Sequence, residues 1–160
     1  MAKTTISAEP GVPQIVTERE FDAPRDLLFR AFTDPELLPQ WLGPREYTMI
    51  VDRYELRDGG RWRFRHQEAD GGEQGFHGVF HGEPSPAGIV RTFEWEGLPG
   101  HVLMETATFE ERDGKTLLRT NSVFQSVADR DGMIESGMEH GVDDSMDRLD
   151  EVIARLAPVR

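Results

Sequence analysis

Residues 61–82 read RWRFRHQEADGGEQGFHGVFHG, and the alternation in this stretch sets the architecture. Arg61, Arg63 and Arg65 alternate with Trp62, Phe64 and His66. A two-residue period of this kind is that of a strand with one wet and one dry face. Asp70-Gly71-Gly72 has the turn chemistry of a hairpin, so Gly75 to Gly82 is expected to return as the antiparallel partner. With the rings facing one another across that hairpin, Trp62, Phe64 and His66 share a face with Phe76 and Phe80. Gly78 and Gly82 fall on the same face, which predicts space between the rings.

Four further strands flank the hairpin. Tyr47 to Tyr54 precedes it, separated by Gly59-Gly60. After Pro84 and Pro86, Ile89 to Glu96 forms the next strand, with Phe93 and Trp95 on one face. Leu98-Pro99-Gly100 turns the chain again, and His101 to Glu111 pairs with Lys115 to Phe124 through Asp113-Gly114. Six successive strands with short loops predict an antiparallel meander. Upstream, residues 1–14 read as a flexible lead-in punctuated by Pro10, Gly11 and Pro13. Ile15 to Asp22 is strand-like. Pro24 starts a short helix with Leu27, Leu28, Ala31 and Phe32 on one stripe. Asp34-Pro35 restarts a second short helix, capped by Asp34 and stopped near Trp41 by Gly43-Pro44.

The last element is expected to be one long helix from Asp129 to Leu156. At 100° per residue Ile134, Met138, Val142, Met146, Leu149, Val152, Ile153 and Leu156 form an apolar stripe. Glu139, Asp143, Asp147 and Asp150 fall on the opposite, solvated side. Gly137, Gly141 and Ser145 make a small-residue row along the border of the stripe. The whole predicts a single α+β domain over residues 15–157, in the order β-α-α-β6-α. Its curved antiparallel sheet wraps around the C-terminal helix, with an apolar pocket between them.

Composition narrows the chemistry. The 160 residues carry 18 Lys and Arg against 30 Asp and Glu, a net charge of −12 at pH 7. That balance argues against nucleic acid and anionic membrane surfaces as partners. Hydrophobic residues make up 37% and aromatics 9%, too many for an intrinsically disordered chain. The absence of cysteine excludes disulfides, thiolate nucleophiles and cysteine-ligated zinc. No apolar run approaches the roughly 18 residues of a spanning helix, so no membrane insertion is expected. The opening MAKTTISAEPGVPQ lacks the apolar core of a signal peptide, and the expected location is cytoplasmic.

Five motifs in order carry a family resemblance: FDAPRDLLFRAFTDPELLPQWLGP at 21–44, RDGGRWRFRH at 57–66, GFHGVFHGEPSP at 75–86, IVRTFEWEG at 89–97 and DGMIESGMEHGVDDSMDRLDEVIARL at 131–156. Together they resemble the bacterial branch of the domain named after activators of the heat-shock protein 90 ATPase. That domain belongs to the SRPBCC superfamily, with START and Bet v 1-like members. The resemblance spans Ile15 to Leu156 and implies a helix-grip fold. It implies mainly architectural roles for Pro24, Trp41, Gly43, Pro44, Gly59, Gly60, Gly141, Arg148 and Leu149. Superfamily relatives include lipid and hormone carriers, polyketide cyclases, dehydratases and oxygenase domains, so the fold alone does not choose an activity. The co-chaperone role behind the name belongs to eukaryotic multi-domain members and is not expected for this chain.

Candidate binding residues follow from strand parity and the helical stripe: Trp41, Trp62, Phe64, His66, Phe76, Phe80, Phe93, Trp95, Met138 and Val142. His66 follows Trp62 and Phe64 inward, as a hydrogen-bonded core residue or as a polar handle for ligand or proton transfer. Tyr47 and Glu105 are further acid–base candidates. His77 and His81 lie about 13 Å apart on one strand and cannot share a metal. His140 is expected to face solvent. No HExxH, Walker or GxSxG motif occurs, and neither a metal nor a cofactor is expected. The leading expectation is a protein that holds a small apolar or amphipathic ligand, lipid-, steroid- or polyketide-like, as a monomer or homodimer. A cyclase, dehydratase or hydrolase using the same cavity is the alternative, and a chaperone or regulatory adaptor the third reading.

Overall fold

A computed structural model of the chain describes residues 3–157. Strands β1 (Thr5–Ser7) and β2 (Gln14–Phe21) are followed by helix α1 (Arg25–Thr33) and a single 3-10 turn (Leu38–Gln40). The next six elements are β3 (Thr48–Tyr54), β4 (Arg61–Gln67), β5 (Glu73–Val79), β6 (Gly88–Trp95), β7 (Val102–Arg112) and β8 (Lys115–Val123). Helices α2 (Val127–Glu135) and α3 (Met138–Leu156) close the described chain. The strands form one sheet in the order β1-β2-β8-β7-β6-β5-β4-β3, antiparallel throughout. The segment from β2 through α1 and the 3-10 turn crosses to the far edge. The six-strand meander then runs back until β8 pairs with β2. This is the expected α+β helix-grip architecture. No helix among the described residues is long and apolar enough to cross a membrane.

The hairpin register is the one that parity predicts, with Phe64 opposite Phe76 and Trp62 opposite Gly78. On the other face the arginines meet acids. Arg63 binds Glu96 through both Nε and Nη2, each at 2.8 Å, and also pairs with Asp52. Arg65 contacts Asp52 at 2.9 Å and Glu73 at 2.7 Å. The dry face packs on α1 and α3. Its core joins Phe21, Leu28, Trp41, Trp62, Phe64 and Phe80 to Met146, Leu149, Val152 and Ile153.

Three local expectations change. The lead-in over residues 1–14 contains β1, paired to β2 through Thr5↔Glu18, Ile6↔Thr17 and Ser7↔Val16. Its β-branched Thr5 and Ile6 cover an edge whose backbone donors would otherwise stay open. Arg130 of α2 fastens the next turn, donating from Nη1 to the carbonyls of Glu9 at 2.5 Å and Val12 at 2.9 Å.

The second short helix reduces to turns and the 3-10 segment. Asp34 Oδ1 caps the Glu36 N–H at 2.9 Å, but Pro39 removes a donor just where an α-helix would need one.

The expected single C-terminal helix is two. Gly137 adopts φ 86°, and its N–H donates to the Ile134 carbonyl at 3.2 Å. A glycine tolerates the left-handed conformation that ends a helix, so the small-residue row breaks at its first member. The first helix also starts two residues earlier, at Val127, because the Ser126 hydroxyl accepts from the Asp129 N–H. The break divides the apolar stripe. Ile134 and Met138 pack with Ile15, Leu103 and Phe124 at one end of the sheet, while the later members join the main core.

Candidate functional site

The divided stripe leaves a cavity of about 570 Å³ between the dry face of the sheet, the α2–α3 junction and the loop from Trp41 to Tyr47. Phe64 and His66 of β4, Phe76 of β5, Phe80 just beyond it and Phe93 of β6 form the aromatic wall. Trp41 lines it from the loop, its indole N–H donating to the Ala31 carbonyl at 3.0 Å. Met138 and Val142 line it from α3. Eight of the ten residues expected to bind ligand are thus gathered around one space.

Trp62 and Trp95 are not part of the lining. Trp62 is only 1% exposed and lies behind the wall, 4.7 Å from the Phe64 ring and 5.7 Å from Phe93. Trp95 is opposite Phe76 in register, yet it is the last residue of β6 and 40% exposed. Its indole N–H is tied to Gln74 Oε1 at 2.8 Å. Gly78 and Gly82 do not open the cavity either. A Cβ at Gly78 would collide with the Thr92 carbonyl and approach Trp62 Nε1 to 2.8 Å, so that glycine admits a neighbour, not a guest. Gly82 sits in a turn with φ 75°. The glycines that line the cavity are Gly43, Gly137 and Gly141.

Gly43 organises the rim. Its N–H donates to Ser145 Oγ at 2.8 Å, and its carbonyl accepts from Arg148 Nη1 at 2.7 Å. Arg148 also donates to the Pro39 carbonyl at 3.3 Å. These bonds strap the loop to α3, and the His66 ring lies against Gly43 on the cavity side. Burial, with the nearby Arg148 charge, pushes the His66 imidazole below its ordinary pKa. His66 is therefore uncharged near neutrality, flanked by Phe76 at 4.9 Å and Tyr47 at 6.1 Å between ring centroids. Tyr54 also lines the cavity. Its hydroxyl donates to the Phe32 carbonyl at 2.6 Å, and burial raises its pKa to about 12.

Polar groups cross the sheet in a row, of which the sequence singled out only Glu105. Arg91 on β6 is opposite Glu105 on β7, which is opposite Ser122 on β8. All three line the cavity, with Thr120 and Thr17 one step away. Arg91 donates from Nε to Glu105 Oε1 at 3.1 Å, and its Nη2 is ion-paired with the same oxygen at 3.0 Å. Its guanidinium stacks 4.3 Å over Trp62 and 5.7 Å from the Phe64 ring centroid. The signal was present in the strand: Ile89, Arg91 and Phe93 occupy alternate positions and so share a face. Of the two added acid–base candidates, Glu105 is committed to Arg91 and Tyr47 flanks His66. His140 is exposed at the mouth, 3.7 Å from Glu46. No cluster of three or more possible metal ligands occurs among the described residues.

Solved structures share this fold. A protein from Rhodobacter sphaeroides matches with a TM-score of 0.87 at 24% identity, over 96% of this chain and 99% of its own. One from Arthrobacter aurescens gives 0.87 at 22%, over 94% and 91%. Protein Ms6760 from Mycobacterium smegmatis gives 0.84 at 20%, over 98% and 99%. At these identities the likeness is one of fold. No curated protein sequence matches the chain significantly. The family model described as Activator of Hsp90 ATPase homolog 1-like protein matches residues 22–154, which include α1, the loop at Gly43, the meander and nearly all of α3, and the chain belongs to that family.

Proposed function

We propose that this protein binds a small apolar or amphipathic molecule in the cavity between the sheet and the C-terminal helices. The observation that carries the reading is the space itself: about 570 Å³, walled by aromatic and aliphatic side chains with a few placed polar groups. Pockets for small ligands have volumes of roughly 300–1,000 Å³ and this kind of lining. Met138 and Val142 of α3 border this space together with Phe64 and Phe76 of the sheet.

The test is a thermal-shift screen with fatty acids, fatty amides, steroids and aromatic polyketide-like compounds. A true ligand at 100 times its Kd adds about 2.7 kcal/mol, enough to raise Tm by several degrees. Ala107→Leu, which adds bulk to the cavity wall, is expected to keep the fold and abolish the shift. A panel without any shift defeats the proposal.

A second reading, catalysis in the same space, is favoured by one observation. His66 is uncharged and no described protein group is hydrogen-bonded to its imidazole, as befits a general base awaiting substrate. Under that reading His66→Ala loses turnover while retaining ligand binding.

A further inference from the structure

We infer, on the cavity reading above, that Arg91 and Glu105 form its head-group site and select neutral amphiphiles whose polar end both donates and accepts a hydrogen bond. Arg91 donates from Nε to Glu105 Oε1, and its Nη2 lies 3.0 Å from the same oxygen. No described residue takes the Nη1 hydrogens or bonds to Glu105 Oε2. Among the described residues, the only side-chain polar atoms both buried and unpartnered are Arg19 Nε and Trp62 Nε1, so Nη1 and Oε2 are not sealed off, and both residues border the cavity. The pair therefore keeps one unpartnered donor group and one unpartnered acceptor at the cavity wall.

The pair is held in place. Trp62 lies under the guanidinium at 4.3 Å, and the antiparallel register sets Arg91 opposite Glu105. Arg91 is 15% and Glu105 27% exposed, so their charges are only partly hydrated. The remaining formally charged lining residue is Glu46, at the mouth beside His140. Nothing else in the lining supplies a fixed positive charge.

That balance decides the class of guest. A carboxylate head reaching Arg91 Nη1 would sit beside the Glu105 carboxylate and be repelled in a poorly hydrated site. A bare hydrocarbon would cover both polar atoms without replacing their bonds to water. A carboxamide, or a hydroxy-ketone of similar span, accepts from Arg91 and donates to Glu105 at once. Its aromatic or aliphatic body then meets Phe64, Phe80 and Phe93.

Isothermal titration with naphthamide, naphthoate and ethylnaphthalene at pH 7.5 tests this, because the three share one ring system. Wild type is expected to bind naphthamide at least about tenfold tighter than naphthoate. Glu105→Gln keeps an oxygen for Arg91 but removes the anion, so preference is expected to turn toward naphthoate. Circular dichroism and Tm of the variant establish that it folds, and Arg91→Lys, which keeps the charge balance but loses the planar donor set, is expected to weaken naphthamide alone. Binding of the probes with the same amide-to-acid ratio in wild type and Glu105→Gln overturns the head-group site and leaves the cavity reading standing. Tighter binding of naphthoate by wild type overturns it too. If none of the three binds, this inference falls, and the broader thermal-shift panel decides the cavity reading separately.

Discussion

Arg19 on β2 is buried beneath α3, its side chain 3% exposed, and donates to Asp147 Oδ1 at 2.8 Å. A second bond, to Asp150 Oδ2 at 2.9 Å, completes the clasp. Burial works against this cation, but the hydrogen bonds and charges of both aspartates outweigh it and hold the guanidinium charged. Two members of the acidic row on α3 thus serve to neutralise a cation under the helix.

The two sides of this clasp differ in cost. Asp147 and Asp150 are 62% and 40% exposed and can be rehydrated when Arg19 is removed. Arg19 has no such option. Arg19→Met is therefore expected to cost about 1 kcal/mol, and the double variant Asp147→Asn, Asp150→Asn about 3 kcal/mol, measured by urea unfolding. Equal losses would contradict the asymmetry.

The rim at Gly43 makes a second expectation. Its φ of 94° is unfavourable for any side chain, and a Cβ there would stand 2.8 Å from His66 Cε1. Gly43→Ala is expected to destabilise by about 1–3 kcal/mol. Ser145→Ala leaves the buried Gly43 N–H without its acceptor and should cost a similar amount, about 1–3 kcal/mol. Denaturant midpoints of the two variants check both.

His66 introduces a pH dependence. Its folded pKa lies below the ordinary 6.5 because burial, and then Arg148, disfavour the imidazolium. As pH falls through 6.5 the unfolded chain takes up this proton before the folded one does, so stability falls. His66→Phe removes that dependence. The Tm of the variant is expected to gain on wild type between about pH 7 and pH 5, and parallel curves would show that His66 does not carry it.

Glu96 acts in a more acidic window on the outer face. The two hydrogen bonds from Arg63, opposed by some desolvation and aided by His77, hold its carboxyl down to about 2, against an ordinary 4.5. Its contribution is complete above 4.5 and is lost as pH falls toward 2. Wild type should therefore exceed Glu96→Gln in stability at pH 6, with the gap closing by pH 2. The group is partly hydrated, so the gap is small, and unfolding curves at both pH values read it.

Most of the wall was legible in residue order. Phe64, His66, Phe76, Phe80 and Phe93 face one way because successive side chains on a strand must point to opposite sides. The same rule placed Trp62 and Trp95 on that face, but it carries no information on depth. Trp62 went behind the wall because Arg91 stacks on it and Gly78 lets its strand approach; Trp95 went outside because its strand ends there. The helix break was signalled by Gly137, although helical periodicity continued on both sides and concealed it.

Local order in the chain therefore settled which elements form and which way each strand residue faces, since both follow from covalent geometry and short-range packing. Which of those residues border open space, and the meeting of Arg91 with Glu105 or of Arg19 with α3, came only with the assembled sheet and its two helices. Depth and pairing depend on register between segments far apart in sequence and on the volume left after they close.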